Sequence, residues 1–242
     1  MNILYLIKFV GEKEYAEQFI NGELYFNRLS FFKRMEENDD EGRKDSNEAI
    51  SYWWQKNNIQ IDISTPSLGK STILDKDLAA PVKVSVIKDE SLHIFCLYAM
   101  RTNGFELIDG KIEYLKEEAI KSKNQPMIDD RCFKFGRYAV IVPAKQFIEL
   151  TSASLESTGK KCRARLVEYF DGDSFHGEFK RFEVPFNKLK HYSYQNEYRI
   201  CIDNRTQGSD PFILSIGSLK DISTLVESSE LNNLFKINSI EI

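Results

Sequence analysis

Between Leu92 and Met100 the chain reads Leu-His-Ile-Phe-Cys-Leu-Tyr-Ala-Met, a nearly continuous apolar run. A strand of this kind leaves no face for water. It reads as the central strand of a sheet covered on both sides. The rest of the chain must supply neighbouring strands and two covering layers.

The flanking pattern supplies them. Residues 3–10 predict a first strand and 12–21 a short helix, with Tyr15, Phe19 and Ile20 on one side. Asn21-Gly22 ends that helix, because glycine tolerates the left-handed conformation that follows one. Residues 23–27 predict a second strand, and Leu29 to Met35 an aromatic helical turn. Ile59, Ile61 and Ile63, and then Val82, Val84 and Val86, alternate with other residues as half-buried strands do. Further strands are predicted at 137–142, 163–170, 192–203 and around Ile213 to Ile216. Helices are predicted over 114–123, 144–157 and 218–235, with a short tail at 237–242. Neither a linker rich in Pro, Gly or Ser nor a repeat divides the chain. The prediction is an α+β fold: a mixed, mostly antiparallel β-sheet core with flanking helices, forming a single domain over residues 1–242.

Composition limits the function classes. A net charge of -4 argues against a bulk electrostatic grip on nucleic acid and leaves room for a local basic patch. Cys96, Cys132, Cys162 and Cys201 are widely spaced, with no CxxC pair to signal a zinc or redox site. Most sit in strand-like runs, as reduced thiols of a cytoplasmic protein do. The apolar start, Met1 to Ile7, meets Lys8 at once and reads as a strand rather than a leader. No apolar run is long enough to span a membrane, so no membrane partner is expected.

The late segment Tyr194-Gln195-Asn196-Glu197-Tyr198-Arg199 has the most enzyme-like content. If residues 192–203 form one strand, its side chains alternate between faces. Tyr192, Tyr194, Asn196, Tyr198, Ile200 and Ile202 then form a core wall. Gln195, Glu197 and Arg199 form a row on the other face, with successive members roughly 7 Å apart. That row equally suits a half-exposed strand turned toward water.

A Gln-x-Glu on a strand late in a mixed β domain resembles the signature of ADP-ribosyltransferases. The segment Phe19 to Phe32, with its Gly22-x-Leu24-Tyr25-Phe26-Asn27 strand, resembles the opening unit of such domains. Together with Arg43-x-Asp45-x-x-Glu48 and Gln195-x-Glu197-Tyr198-Arg199, it is similar to bacterial and phage-associated proteins of this broad type, among them a phage-defence toxin that ADP-ribosylates RNA. The resemblance implies NAD as substrate, with Glu197 catalytic and Gln195 facing the acceptor. Arg43, Tyr25, Asn27 and Tyr98 would contact NAD, and Asp45, Glu48 or Arg199 would bind the acceptor or act as base. It also implies an RNA or protein acceptor and an antitoxin as partner. The family's early Arg or His has no clear counterpart, Lys8 being the one cation of the first strand, and its middle Ser-Thr-Ser strand is absent.

Other readings of the same residues stay open. Arg43, Asp45 and Glu48 suit a surface loop with local ion pairs, and the acidic run 36–41 suits a solvated loop. Asp45, Glu48 and Glu197 suit a metal-dependent nuclease, and the polar strand suits a non-enzymatic interaction module. His93, in the apolar run, reads as a core histidine, and His176, after Asp171-Gly172-Asp173, as an exposed one. Lys160, Lys161, Arg163 and Arg165 form the densest basic patch, either a solvated face or a phosphate-binding track. Gly69-Lys70-Ser71 imitates a P-loop ending but lacks the earlier glycine, Ser64 standing there.

Overall fold

The computed structural model describes residues 3–34, 45–67, 69–101, 105–108, 111–114, 128–206 and 208–235. Arg43, the acidic run 36–41, the helix predicted after Tyr114 and the tail at 237–242 lie outside these residues. In chain order the early strands are β1 (Ile3–Val10), β2 (Glu23–Arg28), β3 (Ile50–Trp54), β4 (Ile61–Thr65), β5 (Gly69–Ile73) and β6 (Val82–Ser85). Next come β7 (His93–Arg101), β8 (Phe105–Ile108), β9 (Lys111–Tyr114), β10 (Tyr138–Pro143), β11 (Lys161–Leu166) and β12 (Glu168–Phe170). The last are β13 (Gly177–Glu178), β14 (Asn187–Leu189), β15 (Glu197–Asp203), β16 (Phe212–Ser215) and β17 (Thr224–Glu227).

The main sheet has the order β11-β15-β7-β1-β10-β17, every neighbouring pair antiparallel. β2 lies on the same side of β7 as β1 but at its other end, with Asn27 opposite Ile94 and Arg28 opposite His93. β16 then extends β2. One parallel pair, β12 with β14, makes the architecture mixed. This is the mostly antiparallel α+β arrangement predicted from the sequence.

β7 is buried on both faces, as its composition requires. On one face Phe95, Leu97 and Ala99 join Leu6, Val140, Tyr198 and Ile200 under the helices Lys13–Ile20 and Ala144–Ser157, which contribute Phe19 and Phe147. On the other face two clusters form. Tyr98 and Met100 pack with Ile7, Ile141, Ile128 and Cys132, while Ile94 packs with Cys201, Leu29, Val184 and Phe186. The segment between these clusters on β15 carries Glu197 and Arg199.

Three predicted elements differ. The strand at 192–203 starts only at Glu197, because Lys190–Gln195 is a 3-10 helix and Asn196 is left-handed at φ 40°. Asparagine adopts this region more readily than most residues, and here its side chain is also tied to Arg101 and Tyr98. The common Tyr wall therefore breaks: Tyr194 packs in the Tyr98 cluster, and Tyr198 on the opposite face. The helix predicted over 218–235 is instead β17, a 3-10 turn and the four-residue helix Leu231–Leu234, since Thr224 to Glu227 completes the edge of β10. Pairing with β10 overrides local propensity there. Finally, Ile59 precedes β4, and among the described residues β4 pairs only with β5; Ile59 and Ile61 are half-buried as predicted, while Ile63 is exposed.

Candidate functional site

β15 points Glu197, Arg199 and Cys201 to the face opposite the two long helices, where Glu197 sits beside Tyr98 and Arg199 beside Cys96 in register. Arg199 is 2% exposed. A guanidinium so buried is tolerable only when its donors are matched. Its Nη1 and Nη2 clasp the two carboxylate oxygens of Glu48 at 2.7 and 2.9 Å. Nη1 also donates to the Pro185 carbonyl at 2.6 Å, and Nε donates to Glu197.

Lys188, on β14, holds the other side of Glu197. Its Nζ donates to Glu197 Oε1 at 2.9 Å and to Gln195 Oε1 at 2.7 Å, and lies 4.5 Å from the centre of the Tyr192 ring. β14 is aligned by its pairing with β12, where Tyr169 faces Lys188. The Glu197 amide donates to the Tyr169 hydroxyl at 3.0 Å. Asp45 enters on the turn that delivers Glu48: the Asn47 amide donates to Asp45 Oδ1, and the Glu48 amide to the Asp45 carbonyl, both at 2.9 Å.

The electrostatics separate the carboxylates. Burial pushes Glu197 up, but Arg199 and Lys188 outweigh it and hold its pKa at about 2. Burial, reinforced by neighbouring Glu48, raises Asp45 to about 6 against the pull of Lys188. Burial pushes Lys188 down, yet Glu197 beside it leaves its pKa raised. Exposure also differs: the side chain of Glu197 keeps 13%, that of Glu48 1%, and Asp45 as a residue 1%.

Gln195, Glu197, Arg199, Asp45 and Glu48, with Arg199 and Glu48 151 residues apart in the chain, thus form one buried network. Neither water-facing reading holds for them: Arg199, Gln195, Asp45 and Glu48 are all buried. Gln195 ends the 3-10 helix and is turned to Lys188. Tyr98 flanks the network, with Asn196 Nδ2 donating to its hydroxyl at 3.3 Å. Burial pushes the Tyr98 phenol up to about 12 despite that bond. Tyr25 and Asn27 do not join: Asn27 pairs with Ile94, four residues or about 13 Å along β7 from Tyr98, and the half-exposed Tyr25 pairs with Ile213 of β16. Lys8 is on the opposite face, over the Phe95 ring.

Lys188 escaped the sequence reading, yet it left a signal. In a strand-like stretch Phe186 and Lys188 share a face, so the lysine stands where an apolar residue belongs. The basic patch is partly closed, since Arg163 and Arg165 both pair with Glu183, and Arg165 also with Glu168. His93 is buried, its Nε2 3.0 Å from the Asp210 carbonyl, and burial lowers its pKa. His176 is exposed. All four cysteines are free thiols. Among the described residues no trio of His, Cys, Asp or Glu is placed to hold a metal ion, and no helix is long and apolar enough to cross a membrane. No family model, no curated protein and no solved structure matches this chain.

Proposed function

We propose that the chain is an NAD-dependent ADP-ribosyltransferase acting on nucleic acid, RNA in particular, or on protein, with Glu197 as its catalytic carboxylate. The observation that carries this reading is the contrast within the network. Of its three carboxylates, Glu197 alone combines a firmly ionised state with remaining exposure. A carboxylate has about four acceptor positions, and the bonds from Lys188 and Arg199 use two. The rest can accept from a ribose hydroxyl of NAD. When the bond between ribose and nicotinamide breaks, its electron pair leaves with nicotinamide and positive charge develops on the sugar. A carboxylate held in place favours that charge without reorganising. An acceptor oxygen or nitrogen then bonds to the sugar carbon and releases its proton. The same proposal includes a cytoplasmic toxin role in phage defence, restrained by an antitoxin.

The nuclease alternative has no comparable support. It needs Asp45, Glu48 and Glu197 to converge on a cation, whereas Glu48 is clasped by Arg199 and Glu197 is shared between Arg199 and Lys188. The test is transfer of label from NAD to RNA, DNA and protein pools, comparing wild type with Glu197→Gln. Transfer is expected to fall by about 10²-fold or more, the usual cost of losing a transition-state electrostatic partner. Circular dichroism melting identifies a variant that has lost its fold instead. A folded Glu197→Gln with undiminished transfer overturns the role of Glu197, and a wild type that never consumes NAD overturns the activity.

A further inference from the structure

At the far end of β15 a second polar feature forms. β2 meets β7 there, and a groove of about 830 Å³ opens between the sheet and the residues Arg205, Thr206 and Gly208. Five cationic side chains line it, Arg28, Arg34, Lys88, Arg181 and Arg205, against two acidic ones, Glu90 and Asp203. Both acids are already engaged: Lys33 reaches Glu90 at 2.6 Å and Arg181 reaches Asp203 at 3.2 Å. This positive excess stands out on a chain of net charge -4.

The groove is built rather than incidental. Arg28, 2% exposed, donates from Nη1 to the carbonyls of Ser91 and Thr206, both at 3.0 Å, and from Nη2 to the Thr206 hydroxyl at 2.8 Å. It clamps one wall to the other. Arg205, next to the clamped Thr206, is left-handed at φ 55°. Its amide is met by the Asp203 carboxylate at 3.2 Å. Among the described residues neither Lys88 nor Arg205 takes part in an ion pair, and both are exposed. The cationic line continues outside: Lys161, opposite Asp203 on the edge strand, lies 4.3 Å over the Phe182 ring, next to Arg181.

We infer that this groove binds the sugar–phosphate backbone of single-stranded nucleic acid. The exposed Lys88 and Arg205, outside the ion pairs, offer their donors to phosphate oxygens. Ile87 is the one large apolar side chain among the lining residues. A basic groove that follows a backbone is how single strands are held. The inference names the acceptor class of the proposed transferase and rests on that reading for its purpose, not for the contact itself.

Fluorescence anisotropy with labelled single strands of about a dozen nucleotides, RNA and DNA, tests it. Lys88→Glu with Arg205→Glu is expected to weaken binding by about tenfold or more. Loss of two phosphate contacts is expected to flatten the slope of log K against log salt by roughly 1.4. Lys88→Glu alone, with about half the change in slope, serves if the double variant melts early. Binding that ignores these substitutions, or equal binding of duplex or of polyglutamate of matched charge, overturns the inference. NAD consumption is followed in the same preparations. Groove-dependent binding without NAD consumption overturns the transferase reading alone, and NAD consumption without groove-dependent binding overturns the groove alone.

Discussion

Around Arg199 three carboxylates meet two cations, and Asp45 is the one whose charge the site tolerates least. Its pKa is raised to about 6 by burial and by Glu48. A proton is therefore held more tightly in the folded chain than in the unfolded one, where the value is 3.8. Stability from this group is complete below about pH 4 and is lost as pH rises through about 6. Glu197 has the opposite sign: held at about 2, it contributes stability above its unfolded value of 4.5 that is lost as pH falls through 2. Asp45→Asn keeps the acceptor for the Asn47 amide and removes the charge. It is expected to match wild type near pH 4 and to exceed it at pH 8 by on the order of 2 kcal/mol. Thermal melts at the two pH values check this, and equal gains at both would refute the assignment. At this scale much of the site was legible. Gln195, Glu197, Arg199, Asp45 and Glu48 stood out as polar residues in motif spacing, and they do meet. Their burial was not legible, because it depends on the chain doubling back to bring Lys188 and the Pro185 carbonyl against them, and on Glu48 meeting Arg199 across 151 residues.

Elements were legible where local pattern and tertiary demand agree. β1, β2, β7, β10 and the helix Ala144–Ser157 fall within a residue or two of their predicted bounds. Each carries its own alternation, apolar run or helical stripe. The misreadings came where a distant partner decides: β17 is made a strand by β10, and β15 is shortened by the bonds that hold Asn196 left-handed. Gly22 shows agreement in its strictest form. It is left-handed at φ 87°, and a Cβ there would fall 1.8 Å from the Gly217 carbonyl oxygen. The Ile216 amide donates to the Gly22 carbonyl and the Leu219 amide to the Ile20 carbonyl, so this turn docks the 216–219 segment onto the first helix. Gly22→Ala is expected to cost roughly 3 kcal/mol, the sum of backbone strain and a displaced backbone contact. At Gly11 a Cβ would meet nothing within 4 Å, and alanine is expected to be accepted there within about 0.5 kcal/mol. Urea denaturation of the two variants measures the difference.

Across the molecule, β15 joins the two polar features. Glu197 opens the strand and Asp203, at the wall of the cationic groove, closes it, six residues or about 20 Å on. The strand between them is buried, with Ile200, Cys201 and Ile202 packed on their two faces, so the separation is fixed by the core rather than by a hinge. If the groove grips an acceptor strand, its grip helps only acceptors long enough to span that distance. Label transfer from NAD to a long single strand is then expected to drop in the Lys88→Glu, Arg205→Glu variant. Transfer to a dinucleotide, which cannot occupy both places, is expected to be weak and equal in variant and wild type. The comparison is made as kcat/KM for the two acceptors in both proteins. A variant that loses activity toward both lengths alike would mean that the substitutions act on the Glu197 network itself. Loss confined to the long strand ties groove and carboxylate into one binding path, with β15 as the rigid spacer that sets which nucleotide reaches Glu197.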